Sequence, residues 1–263
     1  ADAVEDLTGV RPEMVYHGVD NNIFHPYAED KKQKLREAVN PDILDSFIIG
    51  WVGKDQTRKN PWNLFETIYY LKTGNYINCN SCDRVTRGIY NRQKRSIASI
   101  PTECKYCKST DISPGEPIED LRLWMHAYNQ ANIGWDFNLH RDMWGLGSTV
   151  IFTSKLTQDS GLKTSEMSDL YNMFDLFVSL SGGEGFGIPL IEAQACGLPV
   201  VYTDYTAQPE ISKEGGLSVD CELYPEPISS IDRGFIDINH AIKQIYSLYK
   251  NKELYKTLSS NGR

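Results

Sequence analysis

Short apolar segments alternate with helical patterns along most of this 263-residue chain, and this alternation constrains the fold more than any other feature. The predicted strands are short apolar runs, typical of strands buried on both faces. They cover 47–53, 121–127, 149–153, 176–180 and 199–203. The predicted helices begin at Pro61 and cover 136–144, 167–174, 188–196 and two stretches after Gly234. Strands that alternate with helices predict an α/β fold, a Rossmann-like parallel sheet with helices on both faces.

The loop between the strand 176–180 and the next helix carries the most informative residues. Its sequence from Ser181 to Gly187 is SGGEGFG. Doubly wound sheets bind ligands at the carboxyl ends of their strands, and the N–H groups that begin a helix suit phosphate. Glu184 in the loop and Glu192 in the helix are eight positions apart, and each carboxylate can accept two hydroxyl hydrogen bonds. The pattern predicts a polyol site, and the alternative is a loop that only makes a tight turn.

A second polar loop follows the strand 47–53 and carries basic residues. Lys54 and Lys59 come directly after Gly53, five positions apart. Two lysines at a strand end can neutralise a diphosphate without a metal ion. The alternative is a solvated polar loop.

The α/β pattern breaks between residues 75 and 118, where two Cys-x-x-Cys pairs occur. Such pairs supply four thiolates for a tetrahedral, structural Zn²⁺; the cysteines are Cys79, Cys82, Cys104 and Cys107. The alternatives are free thiols or two disulfides. Because the segment has few apolar residues, we expect zinc to fold it locally and the sheet domain to survive metal removal.

Basic residues are frequent between the two cysteine pairs, and no acid occurs from Arg84 to Arg95. One interpretation is a solvated ribbon tip. The other is a docking surface for an acidic partner, a glycan phosphate or a nucleic acid.

The stretch from Ser168 to Pro209 resembles the signature of retaining GT-B glycosyltransferases, the group 1, Glu-x7-Glu type. The shared pattern is a helix with a Leu-Tyr pair, a strand, Ser-x-x-Glu-Gly-Phe-Gly, a second Glu, and Ala-Cys-Gly-x-Pro-Val. Lys54 and Lys59 stand where the family has Arg and Lys. The segment from Tyr16 to Pro26 is similar to the linker between the two GT-B domains. The resemblance therefore implies that residues 1–26 end an N-terminal domain and that residues 27–263 form the nucleotide-sugar-binding domain, with the insert 75–118 inside it.

The resemblance also implies roles for individual residues. Glu192 would bind the ribose hydroxyls, and Glu184 would lie near the transferred sugar. The amides of Phe186, Gly187 and Ile188 would hold the distal phosphate. The implied catalytic residues are Glu184, Lys54 and Lys59, and the implied donor-binding residues are Gly53, Ser181, Gly185, Phe186, Gly187, Ile188 and Glu192.

The implied activity is sugar transfer from a nucleotide-diphosphate sugar, with retention of configuration and no catalytic metal. The acceptor would be a glycan, lipid or protein bound by an N-terminal GT-B domain missing here, so we expect these residues to be inactive alone. The resemblance further implies that a final helix of the family is missing after Arg263. The alternatives are a GT-B epimerase or phosphorylase, or a non-catalytic module that binds a nucleotide sugar and docks a partner.

The net charge of −8 argues against general binding of nucleic acid or anionic membrane. No apolar run approaches the roughly 20 residues that span a bilayer, and no signal peptide is recognisable. Paired cysteines without export signals favour a reducing compartment, so we expect a cytoplasmic protein.

Overall fold

The computed structural model describes residues 2–13, 15–127, 136–153, 161–226 and 230–263. The helices are α1 (Asp2–Thr8), α2 (Glu29–Val39), α3 (Pro61–Thr73), α4 (Phe137–Met143), α5 (Thr164–Asn172), α6 (Ile188–Ala195), α7 (Gln208–Ser212), α8 (Ile238–Lys250) and α9 (Lys252–Asn261). The strands are β1 (Phe47–Val52), β2 (Tyr76–Cys79), β3 (Val85–Arg87), β4 (Ile89–Asn91), β5 (Ser96–Ser99), β6 (Ile112–Pro114), β7 (Leu121–His126), β8 (Val150–Phe152), β9 (Leu176–Ser179), β10 (Val200–Thr203), β11 (Gly216–Val219), β12 (Cys221–Pro225) and β13 (Asp232–Ile236).

Six strands form the central sheet in the order β11-β10-β9-β1-β7-β8. All five neighbouring pairs are parallel. Such a sheet has both faces covered, so its strands are apolar on both sides. β1 illustrates this, because Ile48 and Ile49 point to opposite faces and both are fully buried. The predicted parallel α/β fold is confirmed.

Each face of the sheet has its own core. On one face, α3 and α8 bury Leu64, Ile68 and Ile245 against the strands. On the other face, α5 and α6 bury Tyr171 and Leu190. No helix in the described part of the chain is both long and apolar enough to cross a membrane.

The insert leaves the main domain at the end of α3 and returns just before β7. Gly74 ends α3 in the left-handed conformation, with φ of 68°. β2, β3 and β6 form a small antiparallel sheet, and β4 pairs with β5 in a hairpin. Tyr76 and Val85 are buried in the same core as α3 and α8. The insert has few apolar residues, as its sequence indicates. Through Tyr76 and Val85 it shares the core of the main domain.

Candidate functional site

Two loops meet at the carboxyl edge of the sheet, where the neighbouring strands β1 and β9 end. The glycine loop is Ser181–Gly187 and the basic loop is Gly53–Asn60. The carbonyl of Arg58 accepts hydrogen bonds from the Gly182 N–H (2.7 Å) and the Ser181 hydroxyl (3.1 Å). The structure thus brings together two loops that the sequence placed separately, each after a predicted strand.

Glycine is required at two points of the glycine loop. A side chain at Gly182 would place its Cβ 2.9 Å from the carbonyl oxygen of Gly234. Gly187 precedes α6 with φ of 99°, a left-handed conformation that disfavours other residues. The loop therefore stays close to its neighbours and turns directly into the helix.

Glu184 is held by two cations of the basic loop. Lys59 Nζ lies 2.5 Å from Glu184 Oε1, and Arg58 Nη1 lies 2.7 Å from Oε2. The Glu184 side chain is only 6% exposed. Burial alone would raise the pKa of Glu184, but Lys59 and Arg58 outweigh it and the pKa is lowered. Glu184 is therefore ionised at neutral pH. The sequence analysis did not identify Arg58 as a site residue, although it adjoins Lys59.

Lys54 occupies a different position in the basic loop. Its side chain is exposed, and no hydrogen bond or ion pair involves it within the described ranges. Gly53 fixes the start of the loop, since its N–H donates to the carbonyl of His126 at the end of β7 (3.2 Å). Lys54 thus stands beside the site, while Lys59 lies within it.

Glu192 lies on α6 and is positioned by Tyr171 of α5. The Tyr171 hydroxyl donates to Glu192 Oε2 at 2.7 Å, and Tyr171 is completely buried. Burial raises the pKa of Glu192, and the hydrogen bond from Tyr171 opposes that rise. The bond uses one carboxylate oxygen and leaves Oε1 for a ligand. The predicted Leu-Tyr pair gave the only sequence signal for this contact.

Replacing Tyr171 by Phe is expected to raise the pKa of Glu192, because the bond that favours the ionised form is lost. Leaving the buried carboxylate without this donor should also lower the free energy of unfolding by about 1–3 kcal/mol. Carbon-13 NMR of labelled glutamate measures the pKa. Tyr70→Phe is the matched control, because the buried Tyr70 hydroxyl donates to the Gly88 carbonyl, away from Glu192. Equal Glu192 titration in both variants would contradict the prediction.

The linker segment packs over the glycine loop. The ring of Phe186 meets His17 edge to face at 5.0 Å between centroids and lies 6.2 Å from Tyr16. The Tyr16 hydroxyl donates to Glu210 of α7. Gln208, which the sequence did not single out, donates to the Ser181 carbonyl (3.2 Å) and supports the start of the loop. Gly185 and Ile188 are exposed on this side.

The four predicted cysteines form one cluster in the insert. Their sulfurs all lie within 4.8 Å of one another, with Cys79 and Cys107 3.5 Å apart and Cys82 and Cys104 3.6 Å apart. A tetrahedron of thiolates around zinc, with Zn–S near 2.3 Å, has S–S edges of about 3.8 Å. The cysteines are not joined as disulfides. The donor set therefore fits a tetrahedral metal ion.

The two cysteine turns have the same backbone form. The N–H of Asp83 donates to the Cys79 carbonyl (2.9 Å), and the N–H of Lys108 donates to the Cys104 carbonyl (3.0 Å). Asp83 and Lys108 are both left-handed, with φ of 54° and 62°. Desolvation opposes ionisation of Cys104, but backbone N–H groups of Cys107 and Tyr106 lower its pKa to about 6. The pKa of Cys82 is raised instead, by desolvation and by the neighbouring thiols. The matching form of the two turns suits metal ligation.

Residues 155–263 match the family model of glycosyl transferases group 1. N-acetyl-alpha-D-glucosaminyl L-malate synthase of Bacillus anthracis is 30% identical over 101 residues, which are 38% of this chain and 23% of that protein. O-antigen chain mannosyltransferase B of Escherichia coli is 45% identical over 51 residues, which are 19% of this chain and 13% of the relative. The matched parts are thus well under half of these curated relatives.

Solved structures with a similar fold cover nearly the whole chain. Anabaena HepE, solved with UDP and glucose, has a TM-score of 0.61 at 16% identity, covering 95% of this chain and 50% of that one. The C-terminal domain of the group 1 glycosyl transferase LpcC from Francisella tularensis has a TM-score of 0.55 at 21% identity, covering 93% of this chain and 94% of that one. These matches establish the fold of a GT-B C-terminal domain. Through residues 155–263, the chain is similar to the group 1 glycosyl transferases.

Proposed function

We propose that this chain binds a nucleotide-diphosphate sugar and supplies the donor-binding half of a glycosyltransferase. The observation that carries the proposal is the contact of Glu184 with Lys59 on loops that follow two neighbouring strands, with Glu192 on the helix that begins after one of these loops. Carboxylates for hydroxyls and cations for a diphosphate are the two kinds of group that a nucleotide sugar needs. The fold likeness to HepE, which was solved with UDP, supports the choice of donor.

In this proposal, Glu192 accepts hydrogen bonds from the ribose hydroxyls. The N–H groups of Phe186, Gly187 and Ile188 begin α6 and face the distal phosphate, where a helix N-terminus attracts negative charge. The exposed Lys54 reaches the diphosphate from the rim of the site. Ser181 and Gly185 shape the loop around the donor.

The proposed transfer retains configuration, and the leaving diphosphate helps to deprotonate the acceptor. Lys59 stabilises the charge that develops on the diphosphate, so the proposal needs no catalytic metal. Arg58 and Lys59 are bound to Glu184. A phosphate that draws Lys59 away would release one Glu184 oxygen toward the transferred sugar. Donor binding and the placing of Glu184 would then be one event.

The acceptor is a glycan, lipid or protein, and its site lies in another part of the enzyme. The support for this proposal is the length of the match, which covers only 50% of the HepE chain. Transfer would then require the remaining half, with the cleft between the two.

We also propose that one structural Zn²⁺ is held by Cys79, Cys82, Cys104 and Cys107. The support is the mutual distance of the four sulfurs and the matching form of the two turns. Zinc with four thiolates has no open position, so its contribution would be to the stability of the insert.

Binding of the donor can be tested by thermal unfolding with UDP, GDP, ADP and their sugars. A ligand that binds the native state raises its stability, by about 2.7 kcal/mol at a concentration of 100 times Kd. We expect at least one nucleotide diphosphate to raise the midpoint, and the corresponding nucleoside to do so much less. No rise with any nucleotide sugar at millimolar concentration would contradict the proposal.

A further inference from the structure

A cavity lies away from the glycine loop, between the insert and residues of α3 and α8. Its volume is about 340 Å³, within the range of small-molecule sites. Arg87, Arg92 and Lys105 of the insert line it, together with Tyr70 of α3 and Trp144, which follows α4. Neither the family match nor the proposed donor site accounts for this cavity, because the insert forms one of its walls.

The cavity carries more positive than negative charge. Three cations line it, against one acid, Glu66. Arg87 Nε is paired with Glu66 Oε1 at 3.0 Å. Arg92 and Lys105 form no salt bridge in the described part of the chain, and both are exposed. The charge of Arg92 does act on Glu66, where it opposes the rise in pKa that burial causes. This excess stands out in a chain whose net charge is −8.

One residue of the cavity wall also has a buried donor without an acceptor. Trp144 is only 2% exposed, and its indole Nε1 has no hydrogen-bond partner within the described ranges. A buried N–H that is left unpaired is costly, so such a group normally indicates an acceptor that is still to be added. The ring of Trp144 is held rigidly, with Tyr90 4.3 Å away between centroids and at 33°. The donor therefore has a fixed direction.

A cavity lined by three cations and one acid, with an unpaired N–H in its wall, favours an anion with several acceptor oxygens. A phosphate monoester has a charge of about −1.5 to −2 at neutral pH and three strong acceptor oxygens, which matches this set better than a single carboxylate does. We propose that this cavity binds a small phosphate monoester, such as a sugar phosphate, at a site separate from the nucleotide.

The position of the cavity links this site to the donor loops. The guanidinium of Arg92 lies 4.6 Å from the ring of Trp62, in the first turn of α3. α3 begins directly after the basic loop, so Trp62 is three residues from Lys59. The hairpin of β4 and β5 thus carries a cavity residue to the helix that starts at the donor site. A ligand bound to Arg92 would therefore act on α3, the helix that also follows the loop proposed to bind the donor phosphates.

Calorimetric titration with glucose 6-phosphate tests the proposal, with glucose as the uncharged comparison. The test variant is Arg92→Gln with Lys105→Gln. The control is Lys94→Gln with Lys108→Gln, which removes the same charge from neighbouring insert residues that do not line the cavity. We expect saturable binding of the phosphate only. The test variant should weaken it roughly tenfold or more, and the control by less than about twofold.

Further variants keep the result interpretable. Trp144→Phe retains the ring and removes the N–H, and it should also weaken binding of glucose 6-phosphate. Metal content and thermal unfolding are measured for each variant, because Lys105 adjoins Cys104. Lys59→Gln should leave binding intact. Binding that is lost in Lys59→Gln but kept in the Arg92 and Lys105 variant would assign the phosphate to the donor loops and overturn the proposal. Absence of saturable binding, or equal weakening in both double variants, would also overturn it.

Discussion

Removal of metal from the four cysteines is expected to destabilise the whole chain, and not only the insert. Metal binding to such a site contributes on the order of 10 kcal/mol to folding at neutral pH. The sequence alone predicted that the sheet domain would be unaffected. The structure changes that expectation, because Tyr76 and Val85 of the insert are buried with α3 and α8 in one core. Arg87 of the insert is also paired with Glu66 of α3.

Hydrogen exchange before and after chelation measures this effect. Protection should fall in β2, β3 and β6 and also along the face of α8 that contacts β3. Elemental analysis should find about one zinc per chain. Cys104→Ser should reproduce the loss, whereas Cys221→Ser is the matched control because Cys221 lies outside the cluster. An insert that is folded and equally protected without metal would contradict the zinc assignment.

Replacing Glu192 by Ala is expected to weaken nucleotide binding by roughly 100-fold or more. Two ribose hydroxyls lose a charged acceptor, and each such bond contributes about 1.5–3 kcal/mol. The affinity of Glu192→Gln should lie between those of the unchanged protein and Glu192→Ala, because the amide oxygen is still an acceptor but carries no charge. Glu253→Ala, an exposed glutamate of α9, is the control. Calorimetry with the nucleotide diphosphate measures each affinity, and unchanged affinity in Glu192→Ala would rule out the ribose role.

The pH dependence of binding should carry the signature of the same residue. The ionised carboxylate is the better acceptor, and burial raises the pKa of Glu192. Nucleotide affinity should therefore be lost, as the pH falls, at a higher pH than an ordinary glutamate would give. The pKa of Glu184 is shifted downward, so Glu184 stays ionised through that range. The two glutamates can thus be distinguished by titration.

Local patterns predicted most of the sheet but not all of it. Every strand predicted for the central sheet was found, because buried parallel strands are continuous apolar runs. β11 was missed, since Gly215 and Gly216 precede its apolar residues and glycine is depleted in strands. β12 and β13 were missed as well. They form a separate two-stranded ribbon in which Leu223 and Phe235 are exposed, so no buried alternation marks them.

The site shows a similar division. The sequence placed Glu184, Glu192 and Lys59 after predicted strands, and the two loops meet because β1 and β9 are neighbours in the sheet. Their partners could not be predicted from periodicity, because Tyr171 is 21 positions from Glu192 and Arg58 is 126 positions from Glu184. The basic segment of the insert was also only partly predicted. Three of its arginines contact other side chains of the protein and are not simply solvated: Arg84 contacts Tyr106, Arg87 contacts Glu66 and Arg92 contacts Trp62.

The strand order places the two loops where the connections of the sheet change direction. From β1 the chain continues to β7 and β8 on one side, whereas β9 continues to β10 and β11 on the other. The connections reverse direction between β1 and β9, and such a reversal creates a crevice at the carboxyl edge of the sheet. The helices that follow, α3 and α6, pack on opposite faces. A ligand in that crevice would touch the first turns of helices from both layers, so its binding energy would add to the hydrogen bonds and ion pairs that already join the two loops.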